Sequence, residues 1–371
     1  MAPDFSSLAT AAAWFEAWLV EAALPLWSAA GLDASRGSFQ EALTPAGEPW
    51  PAPRRSRVQS RQVWVYATAA AIGLGEAYGA IAERAWRFHR ARYLGADGLF
   101  ARSADAAGEI VDPTAALYEQ AFALLAMSAL EALARGGFAD EAAALLDALE
   151  PSRHPAGGWR EAGDRPFQAN AHMHLLEAAL AWEAVAAPAA RGRWTGLADE
   201  VAELALTRFV DGRRGVLREF FDADWRALDD RAGGLIEPGH QFEWAWLLDR
   251  WGRARGRADA LDVARRLHAA GLAGVDPGLG VAVNALWSDL SVRDPATRLW
   301  AQTEHLKAAL VFGDEAQALS AAGGLALYLD TPRRGTWRDK LSAERRFVEE
   351  PAPGTSFYHL MGAILALRPA L

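Results

Sequence analysis

The sequence predicts an all-α protein, a ring of about twelve helices set as six hairpins in two concentric layers. Three observations lead there. Ala- and Leu-rich segments with apolar residues at spacings of three and four recur from end to end. They come as consecutive pairs, each pair spanning roughly 60 residues and set off by polar loops rich in Gly and Pro. No composition break marks a second unit, so residues 1–371 read as one domain. Inner helices of such a ring should be apolar nearly all round and outer helices amphipathic. An α-solenoid is the rival arrangement, but no sequence repeat supports it.

The elements follow in order. Helical patterning begins at Ser7 (SLATAAAWFEAWLVEAALPLW), Ser60, Asp112, Phe167, Gly196, Glu237, Ala258, Thr297, Asp314 and Ser356, with shorter helices near 80–94 and 137–150. Asp112 followed by Pro113 reads as a helix start, because Asp can cap the first amides and Pro suits the first turn. The long loops run over 31–56, 151–166, 211–236, 274–296 and 331–355. Within them REFFDADW from Arg218 and GVAVNALW from Gly280 read as short hairpins.

Composition excludes several functions. The chain has 371 residues, 51% hydrophobic and 23% charged, an ordinary globular balance. No apolar run is long enough for a membrane span, and MAPDFSSLAT lacks a basic region before an apolar core. A cytoplasmic protein is expected. There are no cysteines, so disulfides, thiolate nucleophiles and Cys-based metal sites are out. A net charge of −9 gives no basic footprint for nucleic acid. Neither GxxxxGK[ST] nor a GxGxxG between strand and helix occurs. Sixteen tryptophans must partly fill the core, yet a Trp face also suits the C–H side of a sugar ring.

Polar residues interrupt the helices at six places. In NAHMHLLE, His172 and His174 point about 200° apart on a helix and cannot clamp one metal. Asn170, His174 and Glu177 share one face, aimed at a cavity, while His172 faces elsewhere. In EPGHQFEWAWLL, His240 and Glu243 are three apart, so the carboxylate can orient the imidazole; helix capping is the equal alternative. In RLWAQTEHLKAAL, Trp300, Gln302 and Glu304 lead into a helix, Glu304 suits a helix N-terminus, and His305 is expected at the surface. His359 lies just inside the last helix. Arg57 and Arg61 lie four apart on an otherwise apolar helix, where a buried guanidinium needs a carboxylate or an oxyanion. Tyr118 would be an inward hydrogen bonder. All of these sit at helix starts or on inner-looking helices, places that meet at one mouth in a helical ring.

NAHMHLLEA, EPGHQFEWAWLL, RLWAQTEHLKA, SRQVWVYA and FYHL together resemble the motifs of the N-acylglucosamine 2-epimerase superfamily, in order over nearly the whole chain. The resemblance implies an (α/α)6 barrel, a free sugar as small-molecule partner, and isomerisation through a cis-enediolate without cofactor or metal. It implies that His359 is the principal base and acid, and that His240 is the histidine on the opposite side. His174 would be a third pocket histidine linked to ring opening, and Arg61 the cation facing the enediolate oxygen. Glu243 would support His240, Tyr118, Asn170 and Trp300 would contact substrate, and Glu304 would be a pocket carboxylate. PAPGTSFYHL lacks the W-K-C-P-Y-H-N look of cellobiose epimerases and reads more like mannose isomerases. His305 stands where a small or apolar residue is expected.

The leading expectation is an aldose–ketose isomerase that interconverts D-mannose, or a close relative, and D-fructose. A 2-epimerase acting on mannose and glucose or on N-acylglucosamine is the alternative. A glycoside hydrolase using Glu243 and Glu304 as its two carboxylates, or a sugar-binding protein without turnover, stands further off. Outer helices offer a surface for a homodimer, which the sequence neither requires nor excludes.

Overall fold

The computed structural model describes residues 3, 5–133, 136–228 and 233–370. Ser7 opens the first helix with a reciprocal cap: its Oγ accepts from the Thr10 amide at 3.2 Å, and Thr10 Oγ1 accepts from the Ser7 amide at 3.1 Å. Helix α1 (Leu8–Trp18) runs through a π-helical turn, Leu19–Ala23, into α2 (Leu24–Ala29). Pro25 has no N–H to return to the preceding turn, and the helix widens just before it.

Ten more helices follow up to the C-terminal region: α3 (Ser56–Ala71), α4 (Glu76–Tyr93), α5 (Leu117–Ala132), α6 (Phe138–Ala148), α7 (Ala169–Val185), α8 (Pro188–Leu204), α9 (Pro238–Arg255), α10 (Ala258–Leu272), α11 (Leu299–Val311) and α12 (Glu315–Leu329). Helix α13 (Ser356–Leu367) is the last α-helix among the described residues. The odd-numbered helices from α3 to α13 touch in sequence, and α13 returns to α3, which closes an inner ring. Outside it, α4, α6, α8, α10 and α12 each pack on the inner helix before them in the chain, and α1 packs on α13. Closure distinguishes this barrel from an open solenoid, as expected for (α/α)6.

Burial follows the layers. Along α5, thirteen residues between Leu117 and Leu130 are buried, Tyr118 alone being only partly so. Along α4, burial is confined to Gly79, Ala82, Ala85, Trp86, His89 and Tyr93, a stripe at helical spacing.

Five of the six inner helices are pinned by a device that pattern reading missed. The fourth residue of α3, α5, α9 and α11 is a glutamine: Gln59, Gln120, Gln241 and Gln302. Each Oε1 accepts from, and each Nε2 donates to, the backbone of one residue in the preceding loop, namely Phe39, Phe100, Leu217 and Ala282. In α7 the same place belongs to His172, whose Nε2 accepts from the Trp159 amide at 3.0 Å. His172 is therefore a buried structural residue, turned away from His174 as its spacing requires.

The first turns are capped from outside the helix. Glu161 accepts from the Leu117 and Tyr118 amides, Glu119 from Arg57, Glu219 from Glu237, and Glu41 from Arg55. This corrects the reading of Asp112 as a cap. Asp112 ends a short strand, Ile110–Asp112, its Oδ1 accepts from the Thr114 amide, and α5 begins only at Leu117. The GVAVNALW stretch is the strand Val281–Trp287, paired with Val292–Arg298 in a hairpin that leads into α11. In REFFDADW the pairing is limited to bridges such as Phe221 with Ala227. No described helix is long and apolar enough to cross a membrane.

Candidate active site

A cavity of about 600 Å³ opens where the inner helices begin. Its wall has a register set by the helix starts. The second residues of four inner helices, Arg57, Tyr118, Asn170 and Trp300, line it near the mouth. One turn deeper stand the sixth residues Arg61, His174 and Glu243, four positions on and so on the same helix face. His240 and His359 complete the set, with Thr355 and Ser356 beside the latter. Arg61, His174, His240 and His359 therefore meet around one cavity, as do Tyr118, Asn170, Glu243 and Trp300.

The indole of Trp300 packs against two imidazoles, its centroid 5.1 Å from the His240 ring and 5.8 Å from the His359 ring. Gly239 leaves room for it, since a Cβ there would sit 2.4 Å from the indole. Each imidazole has its own carboxylate. His359 Nδ1 is 2.9 Å from Glu304 Oε1, and His240 Nδ1 is 2.9 Å from Glu219 Oε2. Both rings thus keep Nε2 for the cavity.

Two expectations need correction. Glu243 does not support His240. Glu219, from the loop before α9, does, and no local spacing could reveal it, because 21 residues separate the pair. Glu243 instead lies 3.7 Å from His174 Nδ1, and neither of its oxygens has a hydrogen-bond partner among the described residues. Glu304 is no wall residue. It is fully buried behind His359, where Lys307 Nζ reaches it at 2.6 Å.

The surroundings set opposite charges on the two rings. Burial takes His359 down to about 3 against the hydrogen bond to Glu304, and Arg61 and Lys307 lower it further. Lys307 neutralises the Glu304 carboxylate, so the ring faces an ion pair and not a net anion. Burial would lower His240 as well, but the charges of Glu219 and Glu237 raise it to about 10. Glu304 itself is held at about 2: Lys307 and His359 overcome its burial. At neutral pH the cavity therefore presents a neutral imidazole at His359 and an imidazolium at His240.

Arg61 carries the other positive charge. Its guanidinium donates to Thr355 Oγ1 at 2.5 Å and to Tyr118 Oη at 2.8 Å and has no carboxylate partner among the described residues. Arg57, four residues earlier, is paired with buried Glu119 at 2.5 Å. His174 packs against Tyr118 and Phe122, with Glu177 Oε2 3.4 Å from its Nδ1, and burial lowers it to about 4.

Below the cavity the polar network continues. Glu177 accepts from the Tyr358 hydroxyl, and Lys307 lies 3.9 Å from the Trp246 ring centroid. Donor atoms of His174, Glu177 and Glu243, and of Glu243, Glu304 and His359, lie within 4.8 Å of one another. The Lys307 ammonium already bonds Glu304 among these carboxylates, and burial next to Glu304 pushes Glu243 well above the usual carboxylate range. We assign no metal to the cluster. His305, expected at the surface, is fully buried and stacked on Phe242 at 4.8 Å, where burial lowers it to about 4.

Comparison with known proteins agrees with this fold. The N-acylglucosamine 2-epimerase (GlcNAc 2-epimerase) family model matches residues 37–363. A protein of Rhizobium meliloti (strain 1021) named mannose-6-phosphate isomerase is 44% identical over 95% of this chain and 96% of its own. In fold, a D-mannose isomerase crystal structure superposes with a TM-score of 0.86 at 21% identity, covering 97% of this chain and 98% of its own. The cellobiose 2-epimerase from Spirochaeta thermophila DSM 6192 gives 0.86 at 22% identity, covering 98% and 97%. This chain belongs to the N-acylglucosamine 2-epimerase family and is an enzyme of the sugar isomerase and epimerase class.

Proposed function

We propose that the chain is one catalytic domain acting as an aldose–ketose isomerase, which interconverts a mannose-type aldose and its fructose-type ketose through a cis-enediolate. The observation that carries this reading is the pair of imidazoles of opposite charge that line one cavity beside Trp300. A proton next to a carbonyl leaves only if a base takes it while a cation meets the developing oxyanion. Neutral His359 takes the C2 proton on Nε2. The C–H electron pair becomes the C1–C2 double bond, and the former carbonyl pair moves onto O1, which faces Arg61. Return of that proton to C1, with the O2 hydroxyl proton passing to O1, gives the ketose. Charged His240 donates to the sugar oxygens and assists ring opening with His174. Tyr118, Asn170 and Trp300 hold the hydroxyls and the C–H face.

The relatives' names fit a mannose-type substrate: one is called a mannose-6-phosphate isomerase, and a protein of the same fold a D-mannose isomerase. Because His240 and His359 line the same cavity, a proton delivered from His240 to the opposite face of C2 would give the 2-epimer. Incubation of the protein with mannose and with mannose 6-phosphate in heavy water distinguishes the outcomes. Formation of ketose supports the isomerase, and a deuterated 2-epimer without ketose replaces it with the epimerase. Absence of both turnover and exchange with every hexose tried refutes both.

A further inference from the structure

We infer that the arginines at one side of the cavity mouth form a subsite for a phosphate monoester at C6 of the sugar. The inference rests on the isomerase reading of the same cavity. Five arginines line it: Arg55, Arg57, Arg61, Arg102 and Arg298. Three of them share one sector. Arg55 ends the short strand before α3, Arg57 stands in the first turn of α3, and Arg102 precedes the strand Ser103–Ala104, which pairs with Arg54–Arg55. The Ser56 amide bonds to the Arg102 carbonyl at 2.8 Å, so the three backbones are held together.

Each guanidinium is oriented by a carboxylate and is not used up by it. Arg55 meets Glu41 through Nε and one terminal nitrogen, Arg57 meets Glu119 through NH1, and Arg102 meets Asp112 through NH1 at 3.0 Å. The remaining N–H groups have no hydrogen-bond partner among the described residues, and all three side chains are partly exposed to the cavity. Such fixed forks suit a tetrahedral dianion, which accepts from several guanidinium groups at once. The opposing carboxylate of the same rim, Glu161, is occupied: its oxygens accept from the amides of Leu117, Tyr118 and Ala162.

Depth matches the substrate. Arg57 and Arg61 are four residues apart on α3, about 6 Å along the axis, which is the scale of an extended six-carbon chain. With C1 and C2 at Arg61 and His359, the far end of the sugar reaches Arg57 and its neighbours. Arg298 precedes α11 on another side of the mouth and stays outside the subsite.

The test compares kcat/KM for mannose 6-phosphate and mannose in the wild type, Arg55→Gln, Arg102→Gln and the double variant, with melting curves for each. The expected result is a wild-type preference for the phosphorylated sugar. Each single change should cut that preference by roughly tenfold, the scale of a lost charge-assisted contact, and mainly through KM. Arg102→Lys should restore part of it. A wild type that prefers mannose overturns the subsite and leaves the isomerase reading standing. So does a phosphate preference that survives in the double variant. Turnover of neither sugar brings down the isomerase reading and the subsite with it.

Discussion

Replacing Lys307 by Met tests the electrostatics under the cavity. Lys307 is buried, bonds Glu304 at 2.6 Å and faces Glu177 and Glu243. Met keeps the stem and its contact with Trp246 but strands the Glu304 charge. Removing one partner of a buried ion pair costs about 3–5 kcal/mol. Unfolding entropy of about 2.1 cal/mol/K per residue, over 371 residues, is on the order of 0.8 kcal/mol/K, so the melting midpoint should fall by about 4–6 °C. The chemistry should move too. His359 would then face an uncompensated carboxylate at 2.9 Å, and its pKa should rise. The acid limit of kcat/KM, which reports the neutral base, should shift upward with it. Differential scanning calorimetry and a pH–rate profile measure the two effects. Adding Glu304→Gln should return the midpoint toward wild type while activity stays low. An unchanged midpoint together with an unmoved acid limit would refute the reasoning.

Three further outcomes are expected. Activity should fall as pH drops through the His359 value near 3 and as it rises through the His240 value near 10; Glu219→Gln should bring the alkaline limit down by more than a unit in a kcat/KM profile, and an unmoved limit would show that Glu219 does not charge the ring. Acid should destabilise the fold, because His89, His172, His174, His305 and His359 are all lowered to between about 3 and about 4, against about 6.5 when unfolded. The unfolded chain then binds more protons between these values, so stability is full above about pH 6.5 and is lost as pH falls toward 4; urea midpoints at pH 7.5, 6 and 5 should decline in step. Gln120→Leu should cost about 2–4 kcal/mol in urea unfolding, since it leaves the buried N–H and C=O of Phe100 without a partner, whereas an exposed change such as Arg265→Gln should stay within about 0.5 kcal/mol.

What the sequence disclosed and what it hid divide along a physical line. Periodicity is local, so the helices, the two layers and the shared face of Asn170 and His174 could be read directly. Asn170 and His174 are the second and sixth residues of α7, and Arg57 and Arg61 hold the same two places in α3. Aligning the helix starts would have exposed that register, together with the fourth-place glutamines, but the hairpins between them vary in length and hide the repeat. Charge pairing across the ring is not local. Glu219 reaches His240 across 21 residues, and Glu304 reaches His359 across 55. The nearby Glu243 is the tempting partner for His240, yet a separation of three places it on the cavity wall beside His174. His305 looked exposed because a lone histidine usually is, and only the stacked Phe242 from the next inner helix accounts for its burial.

The division of labour between the histidines comes from how many charges surround each ring, since both are buried and both have a carboxylate at 2.9 Å. Around His240 stand Glu219 and Glu237, with no lysine between them and the ring, and the surplus anion keeps the proton on. Around His359 the pull of Glu304 is offset by Arg61 and, less, by Lys307, so burial prevails and keeps the ring neutral. Arg61 has no carboxylate partner among the described residues; an anion placed there would cancel the positive charge that the proposed enediolate oxygen would require.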